Sequence, residues 1–156
     1  MPICKRLSEF LDENRVKYMV IAHSRAYTAQ EIAASVSVPG KNMVKSVIVK
    51  ADGEFIMVAL PADYNVNFNL LKSALSKKDV TLATEDEFKA LFPDCEVGAM
   101  PPFGNLYNVP VYISQTLDEG KEIVFNGGTH TEAVRMSMQD YKQLVNPQIV
   151  KFSEHL

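Results

Sequence analysis

Two apolar runs, Val44 to Ala51 and Phe55 to Leu60, flank the dipeptide Asp52-Gly53. Asp-Gly between strand-forming runs is a strong hairpin signal, because a tight turn needs residues that tolerate positive φ. The second run constrains the fold further. Phe55, Met57 and Ala59 fall on one face of the strand and Ile56, Val58 and Leu60 on the other. A strand apolar on both faces belongs in the middle of a covered sheet or barrel.

The remaining elements supply the cover. Ile3, Leu7, Phe10 and Leu11 recur at helical spacing among charged residues and predict an amphipathic first helix. Tyr18 to Ala22 reads as a strand ending at His23. Thr28-Ala29-Gln30-Glu31 fits a capping box opening a helix to about Ser35, and Pro39-Gly40 stops it. Asn67 to Leu75 predicts a helix with Phe68, Leu71 and Leu75 as its stripe, and Val80 to Leu82 a short strand. Thr84-Glu85-Asp86-Glu87 is a second capping box, for a helix ending before Pro93. Val109 to Ser114, Glu122 to Phe125 and Thr131 to Met136 read as strands, and Ser137 caps a last helix through Val145. Strands and helices mix without regular βαβ alternation. The expectation is one α+β domain over residues 1–156, with a mixed, mostly antiparallel, barrel-like sheet surrounded by helices.

Composition narrows the function classes. The chain has 156 residues, 47% of them hydrophobic and 22% charged, enough apolar content for a core and against disorder. No apolar run approaches the roughly 18 residues of a membrane span. Met1 to Arg6 lacks an apolar stretch like that of a signal peptide, so a cytoplasmic location is expected. A net charge of −3 argues against a general nucleic-acid coat protein, and neither DNA nor a membrane is expected as a partner. Cys4 and Cys95 are too few for a disulfide framework.

Three features could carry chemistry. Lys45 shares a strand face with Val47 and Val49, where it either points into a cavity to meet an anionic or carbonyl group or snorkels from a frayed strand start. Gly98-Ala99-Met100-Pro101-Pro102-Phe103-Gly104 is either a rigid loop whose backbone approaches a ligand or a turn that needs positive φ. Asn126-Gly127-Gly128-Thr129-His130 is either a hairpin turn with an incidental His or a close-approach turn whose His meets a hydroxyl. Cys95 shows no neighbouring base, and His23, His130 and the cysteines lack zinc-ligand spacing. Lys72, Lys77 and Lys78 form a modest basic patch.

The order of these features, a lysine strand (Val44 to Val49), then a G-x-x-x-P loop (Gly98 to Pro102, continued by Phe103-Gly104), then a glycine turn (Asn126-Gly127-Gly128), resembles the YbaK-like aminoacyl-tRNA deacylases. Those are similar to the editing (insertion) domain of bacterial prolyl-tRNA synthetases, and the resemblance covers almost the whole chain. It implies hydrolysis of the ester of a mischarged aminoacyl-tRNA in trans, typically tRNA-Pro carrying alanine or cysteine, with no metal and no cofactor. The acceptor end of aminoacyl-tRNA is the implied partner, with a prolyl-tRNA synthetase as a second. The resemblance makes Lys45, Gly98 and His130 the catalytic residues. Lys45 holds the terminal adenosine or its phosphate, Gly98 offers backbone contacts to the aminoacyl end, and His130 positions the ester. The expected substrate-binding set is His23, Ala99, Met100, Pro102, Phe103, Gly104, Gly127 and Gly128, with Met100 and Phe103 setting a size limit.

Two other readings compete. One is a catalytically silent binding module of the same fold that recognises an aminoacyl group, a nucleotide or a synthetase. The other is a metal- or cysteine-dependent hydrolase using His23, His130 and Cys95.

Overall fold

The Asp52-Gly53 turn forms as its chemistry requires, with φ of 48° and 88° at its two residues. The computed structural model describes residues 3–22 and 42–155. The turn joins β2 (Val44–Ala51) to β3 (Glu54–Pro61) in antiparallel register, Val44 opposite Pro61 and Ala51 opposite Glu54. With β5 (Val80–Leu82), β6 (Val111–Ser114) and β9 (Gln148–Val150) they make a five-stranded sheet in the order β5-β2-β3-β6-β9. β3 therefore lies at its centre, and every residue from Ile56 to Pro61 is buried. The β3–β6 and β6–β9 pairs are parallel and the others antiparallel.

A second, antiparallel sheet of three strands has the order β1-β8-β7, from β1 (Tyr18–Ala22), β8 (Glu132–Ser137) and β7 (Glu122–Asn126). β4 (Tyr64–Val66) and β10 (Ser153–His155) pair as a separate two-stranded ribbon. The barrel-like sheet expected from the sequence is thus assembled from separate sheets. A parallel bridge between Met43 and Val124 links the large sheet to the three-stranded one.

All the described α-helices except α1 (Lys5–Glu13) start at a capping side chain. Asn67 accepts the Leu70 N–H to open α2 (Phe68–Leu75), and Ser137 accepts the Asp140 N–H to open α5 (Met138–Val145). Thr84 and Glu87 close both halves of the capping box of α3 (Glu85–Phe88), which continues as a single 3-10 turn, Lys89–Leu91. α4 (Gln115–Asp118) is one turn, and α1 (Lys5–Glu13) buries Leu7 and Leu11. The expected capping box at Thr28 and the residue His23 lie outside the described residues. Among the described residues no helix is long and apolar enough to cross a membrane.

The two faces of the β2–β3 hairpin feed two cores. Val44, Ile48, Met57 and Ala59 pack with Phe103, Phe125 and Tyr141 between the sheets. Val49, Ile56, Val58 and Leu60 pack with Leu71 of α2 and Phe152. The expected two-sided burial follows from this arrangement, since α2 covers one face and the second sheet the other.

Candidate active site

The two glycine segments, separate in sequence, are stitched together through their backbones. The Gly128 N–H donates to the Ala99 carbonyl at 3.0 Å, and the Glu96 N–H donates to the Gly128 carbonyl at 2.8 Å. The Gly127 N–H donates to the Glu132 carbonyl at 3.1 Å, closing the turn between β7 and β8. The hydroxyls of Thr129 and Thr131 both donate to the Glu132 carboxylate, which holds the following residues in place.

His130 is fixed at this junction. Its N–H donates to Glu96 Oε2 at 3.2 Å, and its Nε2 lies 2.8 Å from the Val97 carbonyl and 3.8 Å from Glu96 Oε2. A carbonyl can only accept, so Nε2 carries the hydrogen, and in the neutral ring Nδ1 is the acceptor. Only 4% of His130 is exposed. Gly98 is exposed, has φ of +84°, and sits against the ring: a Cβ built there would lie 3.6 Å from His130 Cε1. The Gly98 segment is thus a positive-φ turn, and the Gly98 backbone is exposed beside the imidazole.

The rest of that segment anchors the loop. Ala99, Met100, Pro102 and Phe103 are buried. The Phe103 ring centroid lies 5.4 Å from that of Phe125 and 5.3 Å from that of Tyr141, and the Tyr141 hydroxyl donates to the Pro102 carbonyl at 2.6 Å. A Cβ at Gly104 would come within 2.6 Å of the Val109 carbonyl oxygen. Gly104 therefore serves close packing in the described structure.

Lys45 is half-buried near the start of β2, opposite Leu60. Burial lowers its ammonium pKa below the ordinary lysine value, and the Asp63 carboxylate opposes that shift. By strand alternation it shares the face of Val47 and Val49, as expected, and not the face of Val44 and Ile48 that meets Met100 and Phe103. The strands that carry Lys45 and Asn126 meet at a parallel bridge, at the level of Met43, two residues before Lys45, and Val124, two residues before Asn126. Two buried polar atoms lie close in sequence to this level, Ser46 Oγ and Asn126 Oδ1, neither with a hydrogen-bond partner among the described residues.

Other candidates separate from this region. Lys72, Lys77 and Lys78 lie at the C-terminal end of α2, where Asp52 accepts the Lys78 N–H, at the opposite end of β2 from Lys45 and about 20 Å away by strand rise. Lys50 pairs with Glu87 at 2.9 Å. Cys95 has its thiol pKa raised by its hydrogen bond to Cys4 and by burial, which disfavours the thiolate that would attack an ester. Among the described residues, no three His, Cys, Asp or Glu side chains gather as a metal-ligand set. Glu96 went unnoticed in the sequence. Nothing in its spacing marks it, and its importance comes from a partner far along the chain.

The chain matches the aminoacyl-tRNA editing domain over residues 23–144, a span that includes Lys45, both glycine segments and His130. It belongs to that family. Among curated relatives it is 40% identical over 74 residues to a proline–tRNA ligase of Staphylococcus aureus (strain Newman) and 31% identical over 75 residues to that of Bacillus mycoides (strain KBAB4). These matches cover 47% and 48% of this chain but only 12% and 13% of the ligases. The chain thus spans about an eighth of the length of those relatives. Two crystal structures share the fold. One, of a hypothetical protein, is 23% identical with a TM-score of 0.86 and covers 96% of this chain and 100% of its own. The other, of a candidate trans-editing enzyme for prolyl tRNA synthetase, is 20% identical with a TM-score of 0.82 and covers 96% of each chain.

Proposed function

We propose that this protein is an aminoacyl-tRNA deacylase that acts in trans on mischarged tRNA-Pro carrying a small amino acid such as alanine or cysteine. The observation that carries the reading is the junction itself: the exposed Gly98 backbone beside a buried, oriented His130, locked to the Gly127-Gly128 turn. The alignment with parts of two proline–tRNA ligases supports the choice of tRNA.

An aminoacyl ester is already activated, so its hydrolysis needs positioning and polarisation more than a strong nucleophile. In the proposed role, the Lys45 ammonium holds the phosphate or terminal adenosine of the acceptor end. The Gly98 backbone meets the aminoacyl group, and His130 orients the ester. Water adds to the carbonyl carbon, the bond to the ribose oxygen breaks, and that oxygen leaves as the tRNA hydroxyl. The need for such a second site is energetic. One methylene is worth only about 1–3 kcal/mol in a synthetase pocket, too little to exclude smaller amino acids.

The test is a deacylation panel of Ala-tRNA-Pro, Cys-tRNA-Pro and other small aminoacyl-tRNAs. The reading predicts hydrolysis of at least one tRNA-Pro ester well above buffer, and loss of most of that rate in Lys45→Ala. A panel with no member hydrolysed faster than in buffer, or a fully active Lys45→Ala, contradicts it.

A further inference from the structure

The proposed mechanism uses neither cysteine, yet the fold brings both to one phenol oxygen. Tyr107 Oη lies 3.3 Å from Cys95 Sγ and 3.9 Å from Cys4 Sγ, so the two sulfurs can be no further apart than those two distances laid end to end. The same hydroxyl donates to Asp94 Oδ1 at 2.8 Å. Arg6 completes the cluster, with its guanidinium carbon 4.6 Å from the centre of the Tyr107 ring and its Nε 3.7 Å from Asp94 Oδ2. Neither cysteine is disulfide-bonded, and Cys4 is buried while Cys95 is half-buried.

The cluster touches the candidate active site from two sides. The Cys4 N–H donates to the Gly127 carbonyl at 2.8 Å, and a Cβ at Gly128 would lie 2.9 Å from Cys4 Cβ. Cys95 immediately precedes Glu96, whose N–H holds the Gly128 carbonyl and whose carboxylate accepts the His130 N–H. The cysteines therefore bracket the turn that carries His130.

We propose that Cys4 and Cys95 form a reversible disulfide when the protein meets a hydroperoxide, and that this bond slows deacylation by tying the start of α1 to the residue before Glu96. The influence on deacylation rests on the function proposed above; formation of the disulfide does not.

The two thiols are unequal, as this chemistry requires. The Cys95 thiol, and after it the Leu7 backbone at the start of α1, hold the Cys4 thiol down to about 7, against the opposing effects of burial and Asp94. Cys95 is shifted the other way by its hydrogen bond to Cys4 and stays protonated. The Cys4 thiolate attacks one peroxide oxygen and the O–O bond breaks. Cys4 becomes a sulfenic acid, and the departing alkoxide takes up a proton as an alcohol (water, for hydrogen peroxide). The Cys95 sulfur then attacks the sulfenic sulfur. The S–S bond forms, the S–O bond breaks, and the hydroxyl leaves with the Cys95 proton as water. Two thiols lose two electrons and the peroxide gains them. A small dithiol reverses the change by exchange.

The experiment treats the full chain with hydrogen peroxide under native conditions, alkylates the remaining thiols, and maps peptides by mass spectrometry without reduction. Ala-tRNA-Pro deacylation is assayed in parallel. The expected result is a peptide around Cys4 joined to one around Cys95, lighter by two hydrogens, lost on adding dithiothreitol and absent from Cys4→Ser and Cys95→Ser. Deacylation should fall several-fold in the oxidised protein, recover with dithiothreitol, and resist peroxide in both serine variants. Thermal melts show whether each variant is folded, and either one alone suffices. Unchanged thiols, chains crosslinked to one another, or oxidation of a single cysteine to the sulfinic acid would overturn the disulfide. A disulfide that leaves deacylation unchanged would overturn its effect on the site. A protein inactive even when reduced would overturn the function proposed above and leave the disulfide standing.

Discussion

Two glycine turns in this chain look alike in sequence and differ in what surrounds them. Gly53 has φ of +88°, and a Cβ placed there would meet nothing within 4 Å. Gly128 has φ of +101°, but a Cβ there would press on Cys4 at 2.9 Å, and one at Gly127 would fall 2.3 Å from Ile3 Cγ2. The first turn is a local solution to reversing a strand. The second is a place where the start of α1, the loop around Gly98 and the end of β7 converge. A glycine set by conformation alone can be inferred from its neighbours in sequence, whereas one set by close approach depends on residues far along the chain.

Substitutions can break this distinction, and Gly128→Ala should have the largest effect. Backbone strain of about 1–3 kcal/mol adds to an overpacking cost of about 1–3 kcal/mol. Chemical denaturation should therefore show a loss of about 2–6 kcal/mol, and a loss below about 1 kcal/mol would mean that α1 gives way easily. Gly127→Ala carries only the overpacking cost, about 1–3 kcal/mol by the same measurement. Gly53→Ala and Gly98→Ala sharpen the comparison, because their φ values of +88° and +84° impose nearly the same strain, about 1–3 kcal/mol each, with no overpacking cost added. They should melt alike and differ in activity.

The smallest effect belongs to a device away from the junction. The Thr84 N–H, then Lys50, hold the half-buried Glu87 carboxyl down to about 2 from its ordinary 4.5. A depressed carboxylate stabilises the fold fully above the ordinary value, and that stability is lost as pH falls from there through about 2. Glu87→Gln should therefore narrow the stability difference between neutral pH and pH 3, while the glycine variants should leave that difference as it is in the wild type. Urea midpoints at the two pH values provide the check.

The same division explains what could be read in advance. The Asp52-Gly53 hairpin, the capping box at Thr84 and the serine cap of α5 are patterns within a few residues, and each formed where its chemistry predicted. β4, β9 and β10 were not anticipated. Each has three residues, too short for an alternation pattern to show, and they form by pairing with distant partners. At the candidate site the residue types were legible and their meeting was not. Gly98 and His130 stood out as chemistry, but the bonds joining Ala99, Gly128 and Glu96 are backbone contacts that no side-chain pattern announces. Phe103 and Met100 were expected to limit substrate size, and their large apolar side chains pack in the main core. Cys4 and Cys95 carried no pairing signal, because their proximity comes from α1 docking against the loop before Gly98.

The most direct measurement is the single-turnover rate of Ala-tRNA-Pro deacylation by the wild type, Gly53→Ala and Gly98→Ala at a temperature where all three are folded. A site at the glycine junction predicts a wild-type rate for Gly53→Ala and a loss of about tenfold or more for Gly98→Ala, because displacement beside His130 misplaces the ester. Equal rates for the two variants would contradict it.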